Sequence, residues 1–194
     1  MPKRLCVFCG SSAGVRPAYA ESAASLGRLL ASRGIALVFG GSHLGLMGAV
    51  AQAALSAGGE VIGVMPQALV AKEVADLRLA DLRVVGSMHE RKALMAELSE
   101  GFIALPGGFG TFEEFCEVLT WTQLGLHAKP CGLLNVEGYY DPLLKLFDHA
   151  VAEGFLKPQH RAMVICETDP AALVDRLLAF EPPRTEKWIG REQT

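Results

Sequence analysis

Three short segments rich in glycine and small polar residues carry groups that could bind a ligand and act on it. They span residues 10–14, 40–48 and 106–114, and each follows an apolar run of strand length and precedes a run with helical spacing. Glycine lets backbone N–H groups come close to a ligand, and the start of a helix adds a partial positive charge. Three such loops at one edge of a sheet predict a site for an anion.

Arg91 and Lys92 stand at the start of another predicted helix, where the helix macrodipole disfavours cations. We interpret the pair as a sign of an anion nearby; the alternative is a solvated basic pair. Met88, just before them, is either a core residue or a contact for a base. His43 in the second loop is either a ligand contact or part of a turn.

The third loop also has a simpler interpretation. Thr111 and Glu114 fit the S/T-x-x-E capping box, which stabilises the start of a helix without any further function. A cap does not need the three glycines Gly107, Gly108 and Gly110. We therefore favour a ligand site over a cap alone.

Common fingerprints of nucleotide and zinc sites are missing. The chain has no GxxxxGK[ST], so a P-loop ATPase is disfavoured. The GxGxxG of a common NAD site fails because Glu113 stands where the last glycine would be. An HExxH zinc site fails because Ala93 stands where the second histidine would be.

The elements that must position these loops alternate between strands and helices. The strands are short, continuous and apolar, which is typical of a parallel sheet covered on both faces. We predict strands at residues 4–9, 36–39, 60–65, 82–85, 102–105, 131–134 and 163–166, and helices at 18–32, 46–57, 88–99, 111–124, 139–153 and 170–180. The connection 66–79 is predicted to be irregular or partly helical. The pattern indicates an α/β fold, a Rossmann-like doubly wound three-layer sandwich with a mainly parallel sheet, whose ligand lies beyond the carboxyl ends of the strands.

Length and composition set the remaining expectations. The 194 residues suit a single domain, predicted at residues 1–180, followed by a polar tail at 181–194. A formal net charge of −3 argues against a nucleic-acid binder. The apolar run near the N-terminus is far shorter than the roughly 20 residues of a membrane span and lacks a signal-peptide cleavage pattern. We therefore expect a cytoplasmic protein with no membrane partner.

Cys6 and Cys9 form a CxxC, which could be a redox pair or half of a metal site. Both fall in the first predicted strand, where side chains alternate between faces, so the two thiols point to opposite sides. We favour two buried structural cysteines.

Taken together, these motifs resemble the LONELY GUY (LOG) family of cytokinin riboside 5′-monophosphate phosphoribohydrolases, which are often labelled "lysine decarboxylase-like". The family signature PGGxGTxxE is matched in full at residues 106–114, and an Arg-Lys pair after Met-His is matched at 88–92. The runs CVFCGSS at 6–12, GLMG at 45–48 and LLNVEGYY at 133–140 also resemble the family. The chain departs from it at Ser42, where many members have a third glycine.

The resemblance implies a homodimer with active sites near the subunit interface, and no metal or organic cofactor. It implies hydrolysis of the N-glycosidic bond of a (N6-prenyl)adenosine 5′-monophosphate, which releases the free base and ribose 5-phosphate. The implied catalytic residues are Arg91 and Glu114. The substrate-binding residues are expected to be Ser11, Gly41, Ser42, Glu73, Met88, Lys92, Gly107, Gly108, Gly110, Thr111, Glu113 and Thr120.

The residues themselves suggest how such a reaction runs. Cleavage of an N-glycosidic bond builds positive charge on the sugar, which a carboxylate beside the ribose stabilises. Glu114 is the first choice for that carboxylate and Glu113 is the fallback. Arg91 either holds phosphate and sugar oxygens or polarises the departing base.

Three questions stay open at this point. The chain could instead be a non-catalytic carrier of a nucleotide or of molybdenum cofactor. The family label suggests a lysine decarboxylase, which would use pyridoxal phosphate on a lysine such as Lys92. The preferred base is either plain adenine or an N6-prenylated adenine, whose tail we expect near the connection 66–79.

Overall fold

Every strand pairing in the sheet is parallel. In this computed structural model, which describes residues 3–70, 72, 75–76 and 78–181, the sheet has seven strands in the order β4-β3-β2-β1-β5-β6-β7. The strands are β1 (Arg4–Phe8), β2 (Ala36–Phe39), β3 (Val61–Pro66), β4 (Asp81–Val85), β5 (Gly101–Ala104), β6 (Cys131–Leu134) and β7 (Val164–Glu167). The order reverses at β1, because the chain adds β2 to β4 outwards on one side and then places β5 on the other. The prediction of a doubly wound sheet is confirmed.

Helices cover both faces of the sheet. They are α1 (Pro17–Ser32), α2 (Gly45–Ser56), α3 (Gln67–Val70), α4 (Met88–Leu98), α5 (Phe109–Gln123), α6 (Asp141–Ala152), α7 (Pro158–Arg161) and α8 (Pro170–Leu178). One apolar cluster contains buried side chains of α1, α2 and α8, and the other contains those of α4 and α5. The short helix α7 was not predicted.

Strand β1 contributes side chains to both apolar clusters, because successive side chains lie on opposite faces of the sheet. Leu5, Val7 and the following Cys9 belong to one cluster, whereas Cys6 and Phe8 belong to the other. The prediction that Cys6 and Cys9 are buried on opposite faces is confirmed. Burial raises the pKa of both thiols, so neither is a ready thiolate.

The start of α5 differs from the prediction. The helix begins at Phe109 with Gly108 at its N-cap, and no side chain caps it. Thr111 is therefore the third residue of the helix, so it cannot be the first member of a capping box. The capping-box interpretation of Thr111 and Glu114 is wrong, because the glycine turn brings the chain into helical conformation two residues earlier.

The structure describes the connection 66–79 only in part, and it does not describe Glu73 or most of the predicted tail. In the connection 66–79, the described residues contain helix α3 and a single antiparallel bridge between Ser42 and Ala75. Glu73, an expected substrate contact, and residues 182–194 of the expected tail lie outside the described residues. The single domain at 1–180 stays a prediction. No helix in the described part of the chain is both long and apolar enough to cross a membrane.

Candidate functional site

The three glycine-rich loops meet where the strand order reverses. They follow β1, β2 and β5, which are neighbours in the sheet. The Gly10 N–H donates to the Pro106 carbonyl at 3.0 Å, and the Leu46 N–H donates to the Gly10 carbonyl at 3.0 Å. The loops are thus tied together at the carboxyl edge of the sheet, as the sequence predicted, and this is the edge where doubly wound folds bind ligands.

A cavity of about 350 Å³ opens at this edge between the loops and helix α4. Its walls combine backbone from the loops with one guanidinium, two carboxylates and several apolar side chains. The lining residues are Val7, Phe8, Cys9, Gly10, Ser11, Gly40, Met47, Leu69, Met88, Arg91, Met95, Gly108, Phe109, Gly110, Thr111, Glu113 and Glu114. A second cavity of about 260 Å³ adjoins it and shares Gly10, Ser11 and Gly108.

The first turn of α5 offers amides to this cavity. The Phe112 N–H donates to the Gly108 carbonyl at 3.1 Å, so the N–H groups of the three preceding helical residues have no acceptor within the helix. A methyl group added at Gly108 or Gly110 would meet no atom within 4 Å, so packing does not explain either glycine. Both glycines line the cavity, where a side chain would take up space that a ligand could use.

Position 107 requires a glycine for a different reason. A methyl group there would lie 2.1 Å from the Thr111 hydroxyl oxygen, because the Thr111 side chain folds over the turn. Thr111 itself is buried and lines the cavity. Gly107 therefore keeps the turn close to the helix, while Gly108 and Gly110 keep its outer surface open.

Arg91 and Glu114 come together inside the cavity. The Arg91 Nη2 lies 3.6 Å from the Glu114 Oε1, and both residues are buried. The Arg91 Nη1 contacts the Met88 sulfur at 3.7 Å. The buried Arg91 Nε has no hydrogen-bond partner within the part of the chain that the structure describes. Buried guanidinium N–H groups are rarely left without an acceptor, so this group is available to a ligand oxygen.

A capping arrangement that the sequence analysis missed fixes the start of α4. The Ser87 hydroxyl accepts from the Glu90 N–H at 3.1 Å, and the Glu90 carboxylate accepts from the Gly86 N–H at 2.7 Å. This is a close variant of the S/T-x-x-E capping box. Because the helix start is fixed, Arg91 is held one turn inside α4, where its side chain enters the cavity.

Gly40 makes room for the guanidinium. A methyl group at Gly40 would lie only 2.0 Å from the Arg91 Nη2 and 3.2 Å from the Met47 sulfur. The end of β2 is thus the surface on which the guanidinium rests. Gly41 and Ser42 of this loop are predicted site residues, whereas Gly40 is not among the predicted ones. The sequence does contain a signal for Gly40, because a glycine directly after an apolar strand lies at the edge of the sheet where ligands bind.

The environment of Glu114 makes its proton labile near neutral pH. Burial raises the pKa of Glu114 from the ordinary 4.5 to about 7, with Arg91 and Lys92 opposing the rise and Glu113 and Glu117 adding to it. The carboxyl group therefore exists in both protonation states around pH 7. An acid of this kind, buried in a cleft beside a cation, is typical of a functional group.

A stability measurement tests this environment without any substrate. Because the pKa of Glu114 is higher in the folded chain, its contribution to stability is full below the unfolded value and is lost as the pH rises through about 7. Between about pH 5 and pH 8, wild type should lose up to roughly 3 kcal/mol of unfolding free energy relative to Glu114→Gln. Urea unfolding of both proteins at the two pH values measures it, and parallel pH trends would contradict the buried acid.

Glu113 and Lys92 form a separate ion-pair group at the rim. The Lys92 Nζ pairs with a carboxylate oxygen of Glu113 and, at 3.0 Å, with Glu117. Burial lowers the pKa of Lys92, but the two carboxylates outweigh it and raise the pKa. Both acids line the cavity, but Glu113 is exposed whereas Glu114 is buried. Of the two neighbouring acids, the geometry favours Glu114 as the one that faces a ligand.

The structure places the other expected site residues at different distances from the cavity. Ser11 and Met88 line it. Gly41 and Ser42 are buried behind Gly40, where the Gly41 carbonyl accepts from the Asp76 N–H at 2.8 Å and the Ser42 hydroxyl accepts from the Leu44 N–H at 3.2 Å. Thr120 lies on the outer side of α5, with its hydroxyl bonded to the Cys116 carbonyl at 2.8 Å.

His43 and Tyr139 lie close to the loops of the site but have different surroundings. His43 is exposed, and its ring contacts the Ala75 carbonyl at 3.3 Å, which fits the turn interpretation. Among the described residues, no three His, Cys, Asp or Glu side chains are grouped so that they could hold a metal ion. Tyr139, which the sequence analysis did not select, donates its hydroxyl to the Gly107 carbonyl.

Comparisons with known proteins show which family the chain is similar to. The family described as "Possible lysine decarboxylase" matches residues 47–177. A relative from Oryza sativa subsp. japonica, "Probable cytokinin riboside 5′-monophosphate phosphoribohydrolase LOGL9", is 54% identical over 180 residues, covering 93% of this chain and 79% of the relative. The cytokinin riboside 5′-monophosphate phosphoribohydrolase LOG1 of Arabidopsis thaliana is 50% identical over 190 residues, covering 98% of this chain and 89% of that protein.

A solved structure, the molybdenum cofactor carrier protein of Chlamydomonas reinhardtii, superimposes with a TM-score of 0.71 at 27% identity and covers 93% of this chain and 100% of its own. The fold and the position of the cavity thus define a Rossmann-type α/β protein with a candidate ligand cleft at the reversal of strand order. Within that class, the chain belongs to the LONELY GUY family of phosphoribohydrolases.

Proposed function

We propose that the chain hydrolyses the N-glycosidic bond of an adenosine 5′-monophosphate, including N6-prenylated forms, and releases the free base and ribose 5-phosphate. The observation that carries the proposal is the meeting of Arg91 and Glu114 in one cavity, beside a helix start with unpaired amides. The sequence relatives named as phosphoribohydrolases, at 50% and 54% identity, support the same reaction.

The backbone N–H groups at the start of α5 are the reason to expect a phosphate on the substrate. The N–H groups at the start of α5 and the partial positive charge of the helix form a seat for an anion. A phosphate held there places the attached ribose next to the carboxylate of Glu114. Binding energy from a group that does not react is thereby used to position the carbon that does.

The side chains of Glu114 and Arg91 have the chemistry that cleavage of the N-glycosidic bond requires. As the bond from the sugar C1′ to the base nitrogen lengthens, positive charge grows on the sugar, and the ionised Glu114 stabilises it. Water then adds to C1′, its proton leaves to the carboxylate or solvent, and the departing base gains a proton. Arg91 holds oxygen atoms of the ribose phosphate in register through its paired N–H groups.

The phosphate seat makes a direct prediction about substrate choice. We expect the chain to hydrolyse AMP with a kcat/KM at least about a hundredfold higher than that for adenosine, because the nucleoside lacks the group that positions the sugar. Chromatographic detection of free adenine from each substrate measures the ratio. Equal hydrolysis of AMP and adenosine would remove the phosphate from the proposal.

Part of the cavity wall is apolar and comes from elements other than α5. Met47, Leu69, Met88 and Met95 line it, and flexible thioether side chains adapt to irregular apolar groups. Leu69 comes from helix α3 in the connection where a prenyl tail is expected. We infer that the base lies at this side, and the adenine assay repeated with isopentenyladenosine monophosphate measures what the tail contributes.

Two alternatives from other classes remain distinguishable. The carrier interpretation is supported by the likeness to the molybdenum cofactor carrier protein, but a carrier of anions gains little from a buried acid beside its ligand. Release of adenine from AMP separates the two. A pyridoxal-dependent decarboxylase would use Lys92 as an amine nucleophile, whereas here two carboxylates hold it as an ammonium ion. An absorbance scan for bound pyridoxal decides that case.

We also propose a homodimer. A groove of about 280 Å³ runs along α5 and α6 and is lined mostly by apolar residues, together with Thr120, Gln123 and His160. Phe155 beside it is 89% exposed, and Leu146 of α6 is 58% exposed. Apolar surface of this kind is typical of a protein interface, and light scattering of the purified chain measures the oligomeric state. The cytoplasmic location stays a prediction from the sequence.

A further inference from the structure

Three consecutive carbonyl groups of the turn after β5 are held by hydrogen bonds from other parts of the chain. The Leu105 carbonyl accepts from the Tyr140 hydroxyl at 2.6 Å. The Pro106 carbonyl accepts from the Gly10 N–H at 3.0 Å. The Gly107 carbonyl accepts from the Tyr139 hydroxyl. The donors come from two other loops, so they fix the turn from outside.

Two of these bonds, those to the Pro106 and Gly107 carbonyls, also fix the direction of the N–H group in the same peptide. A trans peptide is planar, and its N–H points away from its C=O; the described residues contain no cis peptide. Holding the Gly107 carbonyl therefore turns the Gly108 N–H to the side opposite Tyr139. Gly108 stands between the two cavities and lines both, whereas Tyr139 lines the adjoining cavity and not the main one. The side of the peptide opposite Tyr139 therefore faces the main cavity. Glycine on both sides of this peptide gives it little resistance to rotation, so the hydroxyl is the group that sets its direction.

We propose that Tyr139 is a positioning residue that aims the Gly108 N–H at the phosphate of the substrate. The inference rests on the proposed function, since it assigns the phosphate to the start of α5. Tyr139 does not touch the reacting atoms; it acts on the substrate through one backbone peptide.

The position of the Tyr139 ring does not depend on its hydroxyl. The ring packs edge-on against Tyr140 at 5.1 Å and against Tyr19 at 5.8 Å between centroids, and it stacks on Phe112 at 6.5 Å. The backbone before it turns through Glu137 and Gly138, both with positive φ. The Asn135 side chain accepts from the Tyr140 N–H at 2.7 Å and so closes this turn. Phenylalanine can therefore replace Tyr139 with the ring still in place.

Tyr140 provides a matched control within the same turn. Its hydroxyl also bonds a carbonyl of the turn, that of Leu105. The nitrogen of that peptide belongs to Pro106, which carries no N–H. Loss of the Tyr140 hydroxyl leaves a buried carbonyl without its donor and lowers stability, but there is no amide for it to aim.

The experiment compares Tyr139→Phe and Tyr140→Phe. Calorimetric titration with ribose 5-phosphate measures the hold on the phosphate without any turnover, and kcat and KM for AMP are measured beside thermal unfolding. We expect Tyr139→Phe to weaken ribose 5-phosphate binding and to raise KM for AMP, each about tenfold, with kcat changed less than about threefold. Tyr140→Phe should lower the unfolding temperature and leave ribose 5-phosphate affinity within about twofold of wild type.

Two results would overturn the inference: wild-type affinity for ribose 5-phosphate in Tyr139→Phe, or equal loss of affinity in both variants, which would show a purely structural role. Failure of the proposed function has a different signature, since wild type would then release no adenine from AMP. In that case the titrations with ribose 5-phosphate still decide whether Tyr139 governs the anion seat.

Discussion

Replacement of Glu114 by alanine is expected to lower kcat for AMP hydrolysis about a thousandfold, the range found when a charge-stabilising group is removed from an active site. Glu114 is enclosed in the cavity, 3.6 Å from the Arg91 guanidinium. Its raised pKa of about 7 leaves a large ionised fraction at neutral pH. No water molecule in the same place could carry the negative charge that the sugar requires.

Glu113→Ala is the control for this variant. Glu113 has the same side chain one residue earlier, but it is exposed and pairs with Lys92 at the rim. We expect its kcat to fall less than about tenfold, because screened surface pairs contribute little. Circular dichroism and thermal unfolding of both variants show whether each is folded. If Glu113→Ala loses as much turnover as Glu114→Ala, or if Glu114→Ala keeps wild-type turnover, the assigned role is wrong.

Replacement of Gly40 by alanine is expected to lower kcat about a hundredfold, the loss that follows when a catalytic group is displaced by about 1 Å. The added methyl group would lie 2.0 Å from the Arg91 Nη2, so the guanidinium must move. Any movement changes its 3.6 Å approach to Glu114. Steady-state kinetics with AMP measures the effect, and we expect kcat to change more than KM.

A double-mutant cycle with Arg91→Ala isolates that contact. In the absence of the guanidinium, the methyl group at Gly40 meets its nearest remaining neighbour at the Met47 sulfur, 3.2 Å away. Gly40→Ala should then cost less than about threefold in kcat and add little loss of stability, since the two changes share one contact. Equal effects of Gly40→Ala in the presence and absence of Arg91 would show that Gly40 acts through something else.

Much of the framework could be predicted from local sequence. Strands such as β2 and β6 are short apolar runs that end before Gly40 and Asn135, and their predicted and observed limits coincide. The three loops were found because each follows such a run. Parallel topology then brings loops that are far apart in sequence to one edge, which is why the general position of the site could also be predicted.

The details that the sequence left open or missed depend on angles and on distant contacts. Successive helical residues are rotated by about 100°, so a choice between Glu113 and Glu114 requires the true start of α5, which lies two residues earlier than predicted. The bond from Tyr139 to Gly107 joins residues 32 positions apart. Neither residue shows in its neighbouring sequence that the other is its partner, so no local pattern predicts the bond.

The return of β5 to the side of β1 has a consequence for how the chain matures. Strands β1 to β4 are synthesised first and can pair in sequence order, because each lies beside the strand before it. The seam between β1 and β5 must wait until the chain has grown to about the hundredth residue, and such long-range pairing is slow to form. The cleft lies across this pairing of β1 with β5. A nascent or partly folded chain can therefore bury part of its apolar core and still lack the assembled cleft.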